Sequence, residues 1–272
     1  MQEHHLPVQR ACRMVRLSRA AYYRPPQPRT RADAPVIAVL MAIVADHGRW
    51  GFWKCFGRLR QLGYRWNHKR VHRVYCDLRL NLKRRTKRRV PRRLRQPLQA
   101  PPELNRTWAL DFMSDALYDR RRFRVMTLID EGNREALALE VGTSLPAPRV
   151  TRVLSELVAL HGRPDAIRVD NGPELLAQVF VDWCAARGIG IHYIQPGKPD
   201  QNAYIERFNR TYREEVLDAY LFESLEEVRA VSERWLLTYN HERPHDSLGA
   251  VPPLTFLPRP SSPGQSPYRL ST

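Results

Sequence analysis

The sequence lacks the features that would place it at once in several common classes of protein. It has only four cysteines and no CxxC pair, which argues against a zinc ribbon and against a disulfide framework. No apolar run approaches the ~18 residues that a membrane span needs, and the first residues lack the apolar core of a signal peptide. We therefore expect a soluble cytoplasmic protein with reduced thiols.

Acidic residues are also scarce, but only in the first part of the chain. Residues 1–100 contain 25 Lys and Arg against four Asp and Glu, whereas residues 101–272 contain 20 against 24. Solubility alone does not require charge to be segregated in this way, and phosphate backbone is the usual polyanion of a cytoplasm. The charge distribution predicts a polyanion-binding portion followed by a portion with a different task.

Helical spacing of apolar residues dominates the basic portion. Residues 11–24 predict two short helices, the second capped by Ser18, and residues 36–80 predict three more, the last opened by Asn67 as N-cap. This order is typical of a helix-turn-helix with a basic recognition helix, although a charged face on a structural bundle would look similar. The candidate DNA contacts on the last helix are Lys69, Arg70 and Arg73.

A strongly basic arm follows these helices. Residues 83–95 place nine Lys or Arg in thirteen positions, and Pro91 breaks any helix there. Such a segment repels itself unless phosphates lie nearby, so we interpret residues 83–100 as a DNA-contacting linker. Its candidate DNA contacts are Lys83, Arg84, Arg85, Lys87, Arg88 and Arg89.

Beyond residue 101 the apolar spacing becomes that of an α/β protein. The first three predicted strands have short turns between them and suit an antiparallel meander. Helices and strands then alternate up to a long helix at about 201–220, which is typical of an α/β fold with a mixed sheet. The predicted strands are 107–114, 122–130, 135–142, 166–169 and 189–194.

Three carboxylates lie where this fold would bring them together. Asp111 lies in the first strand, Asp170 ends a short buried strand, and Glu206 lies in the long helix. Functional groups of open α/β sheets cluster at the carboxyl edge of the strands. Crowded carboxylates repel one another unless Mg²⁺ or Mn²⁺ neutralises them, and two such ions roughly 3.5 to 4 Å apart catalyse phosphoryl transfer. The residues alone favour a metal-dependent phosphodiester enzyme.

Structural interpretations of these and other acidic residues stay open. Asp111 alone is compatible with a salt-bridged strand aspartate, and the DNG that contains Asp170 is also a turn signal. We interpret Asp115 and Asp130 as turn residues. The pair at 214–215, two turns beyond Glu206, fits an exposed helix face better than a site.

The segments WALDFMSD, RVDNGPE and QPGKPDQNAYIERFNRTYREEV occur in this order, with SRAAYYR ahead of them and YNHERPHDSLG behind. This ordered set resembles the OrfB-type DDE transposases of bacterial insertion sequences, whose catalytic core is similar to that of retroviral integrases. The resemblance covers nearly the whole chain. It implies a ribonuclease-H-like integrase core with a mixed sheet, in which Asp111, Asp170 and Glu206 are catalytic and hold two Mg²⁺ or Mn²⁺ ions.

The resemblance also implies a reaction and partners. The expected reaction is cleavage at the 3′ ends of the terminal inverted repeats by water, followed by attack of the freed 3′-hydroxyl on target DNA. The expected partners are both DNAs, further copies of the chain on DNA, and an upstream OrfA product that is separate or fused. The protein would then associate with the nucleoid. A nuclease that stops at hydrolysis and a non-catalytic DNA-binding regulator are the alternatives.

Three polar residues near Glu206 are weaker candidates for DNA contacts. Asn202 and Asn209 flank Glu206 at −4 and +3 on one helical face, where helix packing is an equal alternative, and Lys198 precedes the helix. Arg243 and His245 are candidates for supporting the site, with no geometry to place them.

These observations predict the following organisation. An all-α region with a helix-turn-helix precedes the α/β core, and a helical extension with a Pro- and Ser-rich tail follows it. The predicted segments are an N-terminal helical segment at 1–30, a helix-turn-helix-like domain at 31–82, the basic linker at 83–100, the catalytic core at 101–222, the extension at 223–257 and a disordered tail at 258–272.

Overall fold

The computed structural model describes residues 7–23, 29–82, 101–195 and 199–259. Several of the predicted features therefore lie outside the described residues. They are the linker at 83–100, the greater part of the tail, and the candidate DNA contacts Lys83, Arg84, Arg85, Lys87, Arg88, Arg89 and Lys198.

Five helices form the first part of the described chain. They are α1 (Val8–Met14), α2 (Arg19–Tyr23), α3 (Arg29–Asp46), α4 (Phe52–Gln61) and α5 (His68–Asp77). The two predicted caps are confirmed, because the Ser18 hydroxyl accepts the Ala21 N–H at 3.1 Å and the Asn67 side chain accepts the Lys69 N–H at 2.9 Å. Helices α3, α4 and α5 pack around one apolar cluster that includes Leu40 and Leu59.

The second part is built on one five-stranded mixed sheet in the order β3-β2-β1-β4-β5. Strands β1, β2 and β3 are antiparallel, and β4 and β5 run parallel to β1, so the predicted meander and mixed sheet are confirmed. Ala109 pairs with Arg168, which brings the following residues of β1 and the end of β4 side by side. The strands are β1 (Thr107–Ala116), β2 (Arg122–Asp130), β3 (Ala136–Gly142), β4 (Ala166–Val169) and β5 (Gly190–Tyr193).

Helices cover both faces of this sheet. Alternate residues of β1 point to opposite faces, so Trp108 and Leu110 join the cluster with the helices α6 and α8, whereas Ala109 and Met113 join the cluster with α9 and α10. These helices are α6 (Ala147–His161), α7 (Pro173–Leu176), α8 (Gln178–Ala186), α9 (Ala203–Tyr212), α10 (Leu225–His241) and α11 (Pro253–Phe256).

Two helical segments are divided in the structure. Ala177 has an extended backbone, with φ −62° and ψ 138°, and so separates α7 from α8. The long helix predicted at 201–220 consists of a 3₁₀ turn at Pro199–Asn202, then α9, then a π-helix at Arg213–Leu217. No helix in the described part of the chain is long and apolar enough to cross a membrane.

The C-terminal segment packs against both parts of the molecule. Glu242, just after α10, forms an ion pair with Arg58 of α4 at 2.7 Å, and Gly57 lies so close to Pro244 that an added Cβ would be 3.0 Å from its ring. Arg259 falls in the predicted disordered tail, yet its side chain is 11% exposed and ion-paired with the core. The ordered chain therefore extends at least two residues further than expected.

Candidate active site

Asp111 lies in the middle of β1 on the face that α9 covers. Its neighbours on this face, Ala109 and Met113, are buried, and Asp111 itself is half-buried. One carboxylate oxygen accepts the Phe112 N–H at 2.7 Å, and the other accepts the Asn209 side-chain amide at 2.8 Å. Two hydrogen bonds thus fix the orientation of this carboxylate.

Asp170 follows β4 directly and lies beside Asp111 because β1 and β4 pair in parallel. Its carboxylate accepts the Gly172 N–H at 3.0 Å, which closes the tight turn that the sequence predicts there. Asn171 ties the same turn to the end of β5 by donating to the Ile194 carbonyl at 3.2 Å. The carboxyl edge of the sheet therefore holds Asp170 in a defined place.

Glu206 lies in the first turn of α9 and has an exposed side chain. Burial, and then the negative charges of Asp170 and Glu206, raise the pKa of Asp111 to about 6, while hydrogen bonds from Phe112 and Asn209 act to lower it. Both other carboxylates are therefore near enough to Asp111 to disfavour its charge. The structure brings the three predicted residues into one neighbourhood.

In the described part of the chain, this group of carboxylates has no cationic partner. Within the described ranges, no Lys or Arg forms an ion pair with Asp111, Asp170 or Glu206. Oxygen donors of this kind are those that Mg²⁺ and Mn²⁺ prefer, so the donor chemistry fits a divalent ion. Among the same described residues, however, no three His, Cys, Asp or Glu side chains are arranged to hold a metal ion. Side-chain movement is needed before all three contact a common ion.

Glu174, in α7, is a fourth carboxylate at this edge, which the sequence analysis did not identify. A Cβ added to Gly172 would lie 3.0 Å from Asp170 Oδ1 and 3.4 Å from Glu174 Oε2, so the two carboxylates are close. Burial is the largest influence on the pKa of Glu174 and acts to raise it. The hydrogen bond and positive charge of Arg124, together with a backbone hydrogen bond, outweigh burial and the pKa is lowered. The Arg124 guanidinium also lies 4.6 Å from the centre of the Phe112 ring. Glu174, unlike the other three, is neutralised by the chain.

Asn202 and Asn209 point into the protein instead of towards DNA. Both are buried, and the Asn209 amide is bonded to Asp111. The side-chain oxygen of each is buried and has no hydrogen-bond donor in the described part of the structure. The reason is that both lie on the inward side of the 3₁₀ turn and α9. Asn209 thereby supports the Asp111 carboxylate, and the burial of both side chains contradicts their interpretation as DNA contacts.

The Glu215 side chain is only 11% exposed, which corrects the expectation that it lies on an exposed face. Arg243 donates to it at 2.9 Å, and the Trp235 indole donates at 3.0 Å. The π-helix at Arg213–Leu217 explains the difference, because its wider turn changes which residues face inward. This ion pair joins Arg243 to the π-helix that follows α9. Burial lowers the pKa of the neighbouring His245 well below its ordinary value.

The two other acidic residues interpreted as turn residues also have structural partners. Asp115 belongs to β1 and forms an ion pair with Arg213 at 3.0 Å. Asp130, the last residue of β2, is fully buried, and Arg259 pairs with it at 2.6 Å and with Glu135 at 2.5 Å. Neither aspartate is available to the site at the carboxyl edge.

Two of the three predicted DNA contacts on α5 are engaged within the protein. Arg70 and Arg73 donate to the two oxygens of Asp33, at 2.9 and 2.6 Å, and Asp33 is only 4% exposed. The prediction started α3 near Val36, whereas the helix begins at Arg29 and carries Asp33 against α5. Lys69, by contrast, is exposed. Arg70 and Arg73 thus clamp α5 to α3 through Asp33, and their role as DNA contacts stays a prediction.

Comparison with known proteins places this site in a wider context. Two families described as Integrase core domain match the chain, one over residues 101–199 and the other over residues 187–253. The first match contains Asp111 and Asp170, and the second contains Glu206. The matched residues therefore span the entire candidate site.

Two curated relatives match over almost the whole chain. An uncharacterized 39.2 kDa protein of insertion element IS476 from Xanthomonas euvesicatoria is 38% identical over 93% of this chain and 73% of its own. An uncharacterized 31.7 kDa protein of insertion element IS407 from Burkholderia multivorans is 34% identical over 95% and 93%. Both similarities include the helical part of the chain as well as the sheet.

The fold also matches a solved structure. A chain of the simian T-cell lymphotropic virus intasome, in complex with PP2A regulatory subunit B56 gamma, aligns with a TM-score of 0.50 and 18% identity over 79% of this chain and 77% of its own. At this identity the likeness concerns the fold alone. The predicted ribonuclease-H-like core, preceded by a helical region, is thereby confirmed.

Proposed function

Because this chain belongs to the integrase-core family of insertion-element proteins, we propose that it is a DNA transposase that cleaves the ends of its element and joins them to target DNA. The observation that carries the proposal is the group of Asp111, Asp170 and Glu206 at one edge of the sheet, coupled in charge and without a described cationic partner. Phosphoryl transfer requires just such an anionic site for divalent cations.

Asp111, Asp170 and Glu206 are the proposed ligands of two Mg²⁺ or Mn²⁺ ions. When bound, such ions lower the pKa of the attacking oxygen and stabilise the leaving oxygen. The chain supports this set in two ways. Asn209 holds the Asp111 carboxylate in place, and Arg124 neutralises Glu174, so that a fourth carboxylate does not compete for the ions.

The proposed reaction consists of two transfers at phosphorus. In the first, water attacks the phosphodiester at the end of the element, a P–O bond forms, and the bond to the 3′-oxygen breaks. In the second, the freed 3′-hydroxyl attacks a phosphodiester of target DNA, and the 3′-oxygen of the target leaves. In the second step one phosphodiester bond forms for each one that breaks. The step therefore requires no nucleotide cofactor as a source of energy.

The proposal includes partners beyond a single chain. The described part of each chain has one proposed active site, formed by Asp111, Asp170 and Glu206. An element, by contrast, has two ends that must be joined to one target. We therefore propose that two or more copies assemble on DNA, with an upstream OrfA product as a separate or fused partner. Light scattering of the protein alone and with end-containing duplexes tests the assembly, because a single copy on paired ends contradicts it.

A strand-transfer assay tests the proposed function. Labelled duplexes from the element ends, and scrambled duplexes, are incubated with Mg²⁺ and a target plasmid. We expect joined products with wild-type protein and element ends, and none with Asp170→Asn or Glu206→Gln. Glu156→Gln, which changes an exposed glutamate of α6, is the matched control and retains activity.

Each alternative has its own outcome in this assay. Cut ends without joined products identify a nuclease of the same fold. Binding without any cleavage, unchanged by both substitutions, identifies a non-catalytic regulator. Cleavage by Glu206→Gln at the wild-type rate removes Glu206 from the site.

A further inference from the structure

The exposed surface of α5 has two sides with different electrical character. On the side next to α3, Arg70 and Arg73 share Asp33, and Arg73 also lies 3.4 Å from Asp77. Two arginines and two aspartates cancel in charge there. The hydrogen bonds from Arg73 and Arg70 lower the pKa of Asp33, so this carboxylate stays charged and the clamp stays closed. This side of α5 offers no net charge to a phosphate backbone.

The rest of the exposed surface of α5 keeps its positive charge. It extends from Lys69, one turn before Arg73, to His68 and His72, which contact aromatic rings of α4. His68, Lys69 and His72 are exposed in the first turns of α5, and Arg65 is exposed in the turn that precedes it. No acidic side chain among the described residues pairs with Lys69 or Arg65. These cations are therefore free to contact an anion. They also lie at the N-terminal end of the helix, which is the end that reads bases in helix-turn-helix proteins.

An exposed aromatic residue extends this surface onto α4. Trp53 is 64% exposed, and its ring is inclined by 27° to that of His68, with 6.4 Å between centroids. The neighbouring Phe52 ring meets His72 edge to face at 4.7 Å. A large apolar ring on a cationic surface is costly in water and is typical of a binding surface. Such rings pack against sugars and bases beside the phosphates that cations contact.

The turn that presents Arg65 is held in one conformation. Arg60 donates to the carbonyls of Tyr64 and Trp66 at 3.2 and 3.0 Å, and these two aromatic rings stack at 4.4 Å. Binding therefore costs little ordering of the turn, because it is already fixed. The position of the cations is set by the helical domain itself.

We infer that Trp53, Arg65, His68, Lys69 and His72 form the surface that enters the major groove of duplex DNA, and that Arg70 and Arg73 hold α3 to α5 without contacting DNA. The inference rests on the proposed function and specifies which side of the helix-turn-helix binds the element ends. The net positive charge of residues 1–100 agrees with a polyanionic partner.

The test measures duplex binding by the full-length protein in EDTA, where no cleavage takes place. The probes are a fluorescent duplex from the element end and a scrambled duplex of equal composition, each titrated over a range of salt concentrations. We expect Lys69→Ala to weaken binding on the order of tenfold and to lower the salt slope by about one. Trp53→Ala weakens binding without changing the salt slope, because no charge is lost.

The clamp variants and a charge control complete the test. Arg70→Gln and Arg73→Gln lower the melting temperature and leave the affinity and salt slope of the folded protein unchanged. Arg152→Ala removes an exposed charge from α6 and changes neither quantity. Lys69→Ala that binds like wild type, or Arg73→Gln that melts like wild type but binds less tightly, overturns the inference. Failure of strand transfer with normal duplex binding counts against the proposed function alone.

Discussion

Two groups of carboxylates lie on the same sheet and differ in what neutralises them. Asp130 and Glu135 are almost completely buried, and Arg259 lies between them with hydrogen bonds to both. Asp111, Asp170 and Glu206 are less buried, yet no described cation pairs with them. Burial, and then the negative charges of the other two, raise the pKa of Asp111. The carboxylates of the first group are neutralised by an arginine of the same chain. The second group accumulates negative charge that no side chain in the described ranges neutralises.

The difference separates a structural cluster from a candidate metal site. Burying a charge without a partner is costly, so a carboxylate that serves stability alone acquires a cation from its own chain. Glu174 follows the same rule, since Arg124 pairs with it although it lies next to Asp170. Proximity to the site is therefore not the criterion. The absence of a described counter-charge is what distinguishes the three proposed ligands.

One substitution at each group should change the stability of the folded protein in different ways. Arg259→Ala leaves two buried carboxylates unpaired, and we expect a loss of about 3–5 kcal/mol in the free energy of unfolding. Asp111→Asn, measured in EDTA, removes a charge that burial and its neighbours disfavour, so it should unfold at the same or a higher denaturant concentration than wild type. Urea unfolding followed by circular dichroism measures both.

Unfolding in the presence of Mg²⁺ tests whether Asp111 binds the ion. An ion that binds only the folded protein raises its stability, so wild type should melt at a higher temperature with Mg²⁺ than with EDTA. Asp111→Asn should show a smaller increase, while Glu156→Gln should behave like wild type. Equal increases in wild type and Asp111→Asn would contradict the assignment of Asp111 as a ligand.

Asn209→Ala tests how the chain supports the second group. It removes the amide that holds one oxygen of Asp111, and partners of metal ligands typically contribute 10–100-fold to metal affinity or activity, so we expect an effect of about that size. The Mg²⁺ concentration for half-maximal cleavage should rise, because the carboxylate is no longer oriented. Thr211→Ala, on the same helix, is the control. A loss of stability with an unchanged Mg²⁺ requirement would make Asn209 a packing residue only.

Features that depend on local sequence were predicted well. The bounds of β2 and β4 agree with their apolar patterns, and Ser18 and Asn67 cap the helices assigned to them. Alternation along β1 puts Asp111 on the same face as Ala109 and Met113, and in the structure α9 covers this face. Each of these features is decided by residues within a few positions of one another, so the sequence alone contains the information.

Features that depend on distant partners were missed. Asp130 and Asp170 both end strands, and only the former meets Arg259, which lies 129 residues away. The burial of Glu215 depends on a π-helix, which apolar periodicity does not reveal. The segment boundaries and the roles of the three proposed ligands stay predictions, since contacts alone do not decide activity.

The smallest expected effect concerns the pH dependence of the structural group. His161 lies beside Arg259, and burial, followed by the positive charge of Arg259, lowers the pKa of His161 to about 4. The unfolded chain binds this proton near pH 6.5 and the folded chain does not, so stability is complete above pH 6.5 and is lost as the pH falls towards 4. At pH 5.5 the loss is about 1 kcal/mol. His161→Gln should remove this loss from a series of urea unfolding curves, whereas the difference persisting unchanged would assign the acid sensitivity to other groups.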